Sequence, residues 1–217
     1  MLVEERMSRP VITVQPDIPI MDAHQLMRKE RIRRLPVVNK GGELIGIVSE
    51  SDILKASPSQ ATSLSIWEIN YLMSKVTVDE VMTSEVVTVD VKTPIEEAAL
   101  LMADHKIGGL PVLRDGKLVG IVTETDLFKI FLELMGARDP GVRVTLLVRN
   151  VPGELAKLTK AIYDQGGNIL ALVTSRGEDA STSEITVKVE NVDQEALVEA
   201  ITPVVQKVLD MRIMKPM

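Results

Sequence analysis

Two stretches of the chain repeat one pattern of apolar and polar positions. In each, a short apolar run, a Gly-containing turn and a second apolar run precede a Ser/Thr-x-x-Asp sequence that opens a helical pattern. The stretches are RLPVVNKGGELIGIVSESDILK at 34–55 and GLPVLRDGKLVGIVTETDLFK at 109–129. Apolar runs on both sides of a Gly-containing turn predict a β-hairpin, so we expect each stretch to form two strands and then a helix.

The repeat extends upstream of the two hairpins. Met7 aligns with Met82 in a register of 75 residues, and one extra residue in the first hairpin turn shortens the register to 74 at Asp52 and Asp126. The predicted first strands lie at 11–14 and 86–89. Each is followed by a helical pattern, for which Thr93 is the expected N-cap in the second copy. Each copy is therefore expected to run strand, helix, strand, strand, helix, as a duplicated unit.

The pattern changes beyond Gly136, which is an expected helix C-cap. Alternating apolar positions predict strands at 142–148, 168–174, 182–189 and 211–214. Periodic apolar positions predict helices at 154–165 and 194–209, the second with a kink or break at Pro203. The order βαββαβ indicates a ferredoxin-like layer of one sheet and two helices.

These elements predict an α/β protein of the α+β kind. The expected segments are a first repeat at 1–56, a linker helix at 57–77, a second repeat at 78–136, a short linker at 137–141 and a ferredoxin-like domain at 142–217. The linker helix carries Trp67 and Tyr71. It is interpreted either as a connection packed on its own module or as a contact with a second subunit or partner.

The amino-acid composition argues against several classes of function. Of 217 residues, 45% are hydrophobic but only 2% aromatic, so the core must consist of aliphatic residues and Met. The net charge of −6 disfavours nucleic acid as a partner. The absence of Cys excludes thiol catalysis and thiolate metal sites. No catalytic motif, signal peptide or membrane-spanning run is recognisable, so we expect a cytoplasmic protein that is not an enzyme, has no membrane contact and holds no metal or cofactor.

The hairpin motifs resemble the CBS domain, the cystathionine-β-synthase-type repeat. The resemblance rests on Leu35-Pro36-Val37 with 46–52, and on Leu110-Pro111-Val112 with 120–126. It implies that the two units pair into a disc-like module with clefts for adenosine ligands between them. The residues it implies for nucleotide binding are Thr13, Arg33, Arg34, Pro36, Ser49, Asp52, Thr88, Pro111, Thr123 and Asp126.

The roles implied for these residues follow their chemistry. The two aspartates would accept hydrogen bonds from a ribose diol, and Ser49 and Thr123 would bind phosphate or ribose oxygens. The base would lie against the prolines and the strand threonines of the set. The alternative is that each Ser/Thr-x-x-Asp motif only caps a helix.

The two copies differ in charge just before the Leu-Pro-Val sequence. The first copy has Arg33 and Arg34 where the second has Gly108 and Gly109. In nucleotide-sensing relatives, basic residues at this place contact phosphate, and guanidinium groups bind phosphate at two points. The alternative is a solvated basic end of a helix. The first interpretation predicts one phosphate-binding side and one neutral side.

The C-terminal domain resembles the ACT domain, a small regulatory module that binds amino acids. The resemblance rests on 151–155 with Leu158 and on Gly167-Asn168-Ile169. It implies Asn150, Gly153 and Asn168 as effector-binding residues. Val148 stands where some of these sites have histidine, so a domain that only dimerises is the alternative.

A CBS pair followed by an ACT domain resembles the acetoin-utilisation (AcuB-type) family of regulatory proteins. The expected function is therefore regulatory ligand sensing. The CBS pair would bind AMP, ADP, ATP or S-adenosylmethionine, and the ACT domain would dimerise and bind a small metabolite such as an amino acid. A homodimer is expected because the predicted sheet carries apolar residues on both faces, for example Leu146 and Leu147. An unidentified regulated protein is the expected partner, and a structural dimerisation scaffold without a nucleotide is the alternative.

Overall fold

The computed structural model describes residues 1–56 and 65–215. It consists of two compact units, the first ending at Leu127 and the second beginning at Phe128. The first unit contains both hairpin motifs, and the second contains the ferredoxin-like domain. The segment bounds expected from the sequence stay predictions, and residues 57–64 of the expected linker, with 216–217 at the C-terminus, lie outside the described residues.

The first repeat forms the expected hairpin between two helices. Its elements are α1 (Ile20–Glu30), β1 (Arg34–Val38), β2 (Leu44–Ser49) and α2 (Glu50–Ala56). The predicted strand at 11–14 is wrong, since only Val14 bridges to Val37, in parallel. The cause lies upstream: Ser8 is already paired with Ile121 of the second repeat, and Pro10 has no N–H with which to extend a ladder.

The second repeat has the expected order, but the strand predicted at 86–89 is wrong over most of its length and covers only Val89–Asp90. After α3 (Ile66–Met73) and α4 (Val78–Val81) come β3 (Val89–Asp90), α5 (Ile95–His105), β4 (Gly109–Arg114), β5 (Lys117–Thr123) and α6 (Glu124–Leu134). β3 runs parallel to β4, and β4 and β5 form the expected antiparallel hairpin. The prediction that Thr93 is the N-cap of α5 is wrong. Pro94 holds that position without a side-chain bond, because the Thr93 backbone is engaged by Asp90 and Val3.

Each repeat is completed by the short helix that precedes the other. The first residues of the chain form a 3-10 helix, Val3–Glu5, which packs on the second repeat. There the Val3 N–H donates to the Thr93 carbonyl at 2.9 Å. In the equivalent place, the Val78 N–H at the start of α4 donates to the Ile18 carbonyl of the first repeat at 3.0 Å. Both valines are fully buried, so the two repeats exchange segments and form one folded unit.

The same exchange explains a glycine in each hairpin. Ile47 pairs with Thr83 of the other repeat, as Ser8 pairs with Ile121. The methionine before each pairing residue lies against the glycine of the hairpin that it crosses. A Cβ on Gly120 would lie 2.5 Å from the Met7 sulfur, and Gly46 is equally crowded by Met82. These two positions therefore leave no room for a side chain without displacing the methionine.

The second unit contains the predicted ferredoxin-like fold. Its elements are β6 (Gly141–Arg149), α7 (Glu154–Asp164), β7 (Asn168–Arg176), β8 (Thr182–Glu190), α8 (Gln194–Ile201) and β9 (Lys207–Met214). The strand order is β7-β8-β6-β9, all antiparallel. Alternate residues of β6 pack with Leu158 and Ile162 of α7 and with Leu197 and Ile201 of α8. The predicted α+β fold class is confirmed.

Two details of this domain differ from the sequence-based expectation. The predicted helix 194–209 ends at Ile201 and does not resume. The break expected at Pro203 is confirmed, because Pro203 lies in a 3-10 turn and cannot donate to a helical hydrogen bond. The last strand consequently begins at Lys207 rather than at 211.

The face of the sheet away from the two helices is more polar than expected. Thr145 bonds Thr186 at 3.2 Å across two strands, and Arg143 pairs with Asp210 at 3.2 Å. Lys188 on the same face is only 3% exposed. Apolar burial on this face therefore gives less support for a homodimer than the sequence suggested.

Candidate ligand-binding cleft between the two repeats

Both Ser/Thr-x-x-Asp motifs form the same hydrogen-bonded turn where a strand gives way to a helix. In the first repeat, the Ser49 hydroxyl and backbone N–H donate to Oδ2 of Asp52 at 2.6 and 2.9 Å. In the second, Thr123 donates to Oδ2 of Asp126 in the same way, at 2.7 and 3.0 Å. The N–H of each aspartate donates back to the hydroxyl, at 3.3 and 3.4 Å. The helix-capping role that the sequence offered as an alternative is therefore present in both repeats.

Helix capping does not occupy the whole Asp52 carboxylate. Both capping bonds go to Oδ2, while Oδ1 accepts no hydrogen bond from any residue in the described ranges. An ionised carboxylate can accept further hydrogen bonds at either oxygen. The capping turn thus holds Asp52 in one orientation and leaves acceptor capacity for a ligand.

Asp52 faces a cleft of about 320 Å³ that both repeats line. The first repeat contributes Arg34, Ile47, Ser49, Ser51, Asp52 and Lys55, and the second contributes Thr83, Glu85, Val86, Val87 and 106–109. The cleft therefore combines an apolar wall, a fixed carboxylate and several cationic groups. This is the composition of a site for a small ligand that has both an apolar part and charged or hydroxyl groups.

The structure brings only some of the predicted residues to this cleft. Of the first repeat's candidates, Arg34, Ser49 and Asp52 line it. The remaining candidates do not belong to its lining; they are Thr13, Arg33, Pro36, Thr88, Pro111, Thr123 and Asp126. Thr123 and Asp126 form the equivalent turn in the other repeat. Pro36 and Pro111 are buried inside the hairpins, where they pair with Ile47 and Ile121.

The basic residues of the first repeat and the glycines of the second do not lie on two separate sides, as the predicted charge difference implied. Arg34, Gly108 and Gly109 line the same cleft rather than opposite sides. Arg33 is exposed, and its carbonyl accepts a hydrogen bond from Glu50 at 2.9 Å. The reason is that the end of α5 and the start of β4 lie beside the motif of the other repeat, which the order of residues in the sequence does not reveal.

Lys106 is a cleft residue that the sequence reasoning missed. It ends α5 in the left-handed conformation, with φ of 55°, and it contributes a cation beside Arg34. Arg31 adopts the same conformation at the equivalent position, with φ of 56°. The repeat register could have suggested that these two residues play parallel roles, but not which cleft each would reach.

The three predicted effector residues of the second unit lie at two ends of the sheet. Asn150 donates to the Ala180 carbonyl at 3.0 Å, close to the left-handed Gly153 that precedes α7. Asn168 donates to Glu190 at 2.7 Å. β6 and β8 meet at Arg149 and Thr182, eight residues before Glu190 along β8. Eight residues of strand span about 26 Å, so one chain does not bring these three residues into a single site.

A buried charged group lies at the start of α7. The Glu154 side chain is 7% exposed, and it accepts a hydrogen bond from Lys157 at 2.7 Å, with Arg149 at 3.8 Å. The Lys157 hydrogen bond lowers the pKa of Glu154, which keeps the carboxylate ionised. The sequence analysis did not identify this group.

Within 1–56 and 65–215, no three His, Asp or Glu residues are grouped so that they could hold a metal ion. None of the helices in these ranges combines the length and the apolar character needed to cross a membrane.

Two repeats that share a ligand-sized cleft, followed by a ferredoxin-like domain, define a regulatory ligand-binding type of protein. The family model of the CBS domain matches residues 3–59 and 78–133, and that of the ACT domain matches 142–205. The chain belongs to the CBS-domain family and carries an ACT domain after the CBS pair.

Similar proteins include both solved structures and a larger enzyme. The CBS domain pair of protein MJ0100, in complex with 5′-methylthioadenosine and S-adenosyl-L-methionine, is 33% identical and covers 64% of this chain and 98% of its own, with a TM-score of 0.52. A protein assigned to acetoin utilization (AcuB) from Vibrio cholerae is 34% identical, with coverage of 64% and 98% and a TM-score of 0.52. An L-aspartate semialdehyde sulfurtransferase from Methanocaldococcus jannaschii is 34% identical over 60% of this chain, which spans 23% of that enzyme.

Proposed function

We propose that this protein is a regulatory ligand sensor whose CBS pair binds an adenosine-containing ligand in the cleft at Ser49 and Asp52. The observation that carries the proposal is the fixed Asp52 carboxylate, with one oxygen available, in a cleft that both repeats line. A similar CBS pair is described in complex with two adenosine derivatives. The proposed ligands are AMP, ADP, ATP and S-adenosylmethionine.

Each part of an adenosine ligand has a chemical counterpart in the cleft. The ribose diol would donate to Oδ1 of Asp52, because a carboxylate can accept from two adjacent hydroxyls. The adenine would lie against Val86 and Val87. A phosphate would lie near Arg34 and Lys106, where two cations favour an anion.

The turn at Thr123 and Asp126 is proposed as a second ligand position. Its hydrogen bonds reproduce those of Ser49 and Asp52 to within about 0.1 Å. Five candidates from the sequence stay proposals without a place in the first cleft: Thr13, Arg33, Pro36, Thr88 and Pro111. An empty structural scaffold is the rival function, and the capping bonds are the observation that favours it.

For the ACT domain we propose homodimerisation, with a small metabolite such as an amino acid bound at the subunit boundary. Asn150 and Gly153 lie at one end of the sheet and Asn168 at the other. In a dimer with a two-fold axis beside the sheet, Asn150 and Gly153 of one subunit would lie close to Asn168 of the other, which supports a shared site. A cytoplasmic protein without its own catalytic activity, acting on a regulated partner protein, completes the proposal.

Calorimetry with the full chain tests the nucleotide proposal. Asp52→Ala should weaken binding of AMP or S-adenosylmethionine by roughly 10- to 150-fold, which corresponds to the 1.5–3 kcal/mol of a hydrogen bond to a charged group. Asp126→Ala removes the same capping bond from the other repeat, so it should weaken only the proposed second position and leave binding in the Asp52 cleft unchanged. If none of the proposed ligands gives heat with the wild type, or if Asp52→Ala loses no binding event that Asp126→Ala retains, the proposed site is wrong.

A further inference from the structure

Arg34 lies at a crossing point between the two repeats. It begins β1 of the first repeat and lines the cleft at Asp52. Its guanidinium also passes over Gly108 of the second repeat, where a Cβ atom would collide with it. A Cβ atom there would also lie 2.5 Å from Oε2 of Glu124, so a side chain at position 108 would displace the guanidinium, the Glu124 carboxylate or both.

The guanidinium continues toward the second repeat's own motif. Nη2 of Arg34 is 4.0 Å from Oε2 of Glu124, the residue that follows Thr123. The Glu124 N–H donates to the Gly108 carbonyl at 3.1 Å, so the positions of these two residues are coupled through the backbone. Arg34 is 27% exposed and Glu124 is 68% exposed, which makes this a solvent-screened ion pair that a ligand can displace.

The equivalent positions of the first repeat do not form this arrangement. Glu50 corresponds to Glu124, and its N–H also bonds the carbonyl of the residue just before the hairpin, Arg33, at 2.9 Å. Its carboxylate lies 3.7 Å from Nε2 of His24 instead of an arginine. An arginine therefore pairs with the glutamate after the Ser/Thr only in the second repeat. Glu50, the equivalent glutamate of the first repeat, can serve as the control position for mutations of Glu124.

We propose that Gly108 and Glu124 are positioning residues that set the charge preference of the cleft at Asp52. Gly108 leaves the space through which the guanidinium crosses, and Glu124 attracts it toward the second repeat. A ligand phosphate competes with Glu124 for the same guanidinium, so anion binding in this cleft releases a carboxylate beside Thr123 and Asp126. This inference rests on the proposed nucleotide site and assigns the residues that tune it.

Calorimetry with AMP and adenosine on the full chain tests whether Gly108 and Glu124 position Arg34 for phosphate binding. Binding in the cleft at Asp52 is identified as the binding event that Asp52→Ala loses. Glu124→Gln should strengthen AMP binding about two- to fivefold, the value of an exposed ion pair of up to ~1 kcal/mol. It should leave adenosine binding unchanged and should have no effect once Arg34→Ala is present. Gly108→Ala crowds both Arg34 and Glu124, so it should change AMP binding only while Arg34 is present, again without changing adenosine binding.

Glu50→Gln separates positioning from general electrostatics. It removes the same charge at the equivalent place, so an equal gain in AMP affinity from Glu50→Gln and Glu124→Gln would overturn the proposal. A change in adenosine binding equal to that in AMP binding would overturn it as well, because the effect would then not act through the phosphate.

A second readout does not depend on any nucleotide. The NMR signal of the Arg34 side chain, assigned through its loss in Arg34→Ala, should move in Glu124→Gln and in Gly108→Ala but not in Glu50→Gln. If the wild type binds none of the proposed ligands, the proposed function fails, while this measurement still decides the placement of Arg34. If the signal does not move in Glu124→Gln, Glu124 does not hold Arg34 and the inference fails.

Discussion

The exchange of short helices between the repeats predicts that a mutation near the N-terminus will loosen the distant second repeat. Val3 is fully buried and bonded to Thr93. Val3→Ala removes two buried carbon atoms, which costs about 1.6 kcal/mol in transfer free energy at ~0.8 kcal/mol each. The cavity left behind raises the total to roughly 2–3 kcal/mol.

Hydrogen exchange measured by mass spectrometry locates the effect. Val3→Ala should speed exchange in the second hairpin, Gly109–Thr123, more than in the first, Arg34–Ser49. Val78→Ala, at the equivalent position, should show the opposite preference, because Val78 packs on the first repeat. If Val3→Ala instead loosens the first hairpin selectively, the two repeats do not exchange these segments.

Three further predictions concern the second unit. The pKa of Glu154 is lowered in the folded state, chiefly by the hydrogen bond from Lys157. This interaction therefore stabilises the protein fully at pH values above the ordinary pKa of 4.5, and the stabilisation is lost as the pH falls through the lowered pKa of the folded state. The fall in melting temperature on acidification should therefore be smaller in Lys157→Met than in the control Lys160→Met. Lys188→Met should cost about 1–3 kcal/mol of unfolding free energy in urea, because the buried Gly136 carbonyl loses its ammonium donor; an unchanged midpoint contradicts this. Light scattering should show a dimer of the full chain at micromolar concentration, and a monomer refutes the proposed assembly.

Features that depend on neighbouring residues could be predicted from the sequence. The hairpins follow from apolar runs around Gly-containing turns, and the capping turns follow from the Ser/Thr-x-x-Asp spacing. The ferredoxin-like order follows from alternation and helical periodicity. The prediction that the helix continues to residue 209 was wrong. The apolar positions after Pro203 fit either a helix or a strand, and these residues form a strand because they pair with β6.

Features that depend on how the repeats meet could not be predicted. The sequence gives no indication that Lys106 and Val86 face the motif of the other repeat, because this contact joins parts of the chain far apart. The same holds for the crossing of Arg34 over Gly108. In the ACT domain, the family resemblance grouped Asn150 with Asn168, whereas the strand register places them at opposite ends of one sheet.

A crystal structure of the full chain grown with AMP tests the central claim most directly. AMP should lie in the cleft between the repeats, with its ribose diol on Oδ1 of Asp52 and its phosphate beside Arg34. If the protein binds AMP in solution but this cleft stays empty in the crystal, or if the nucleotide binds without contact to Asp52, the proposed site is wrong.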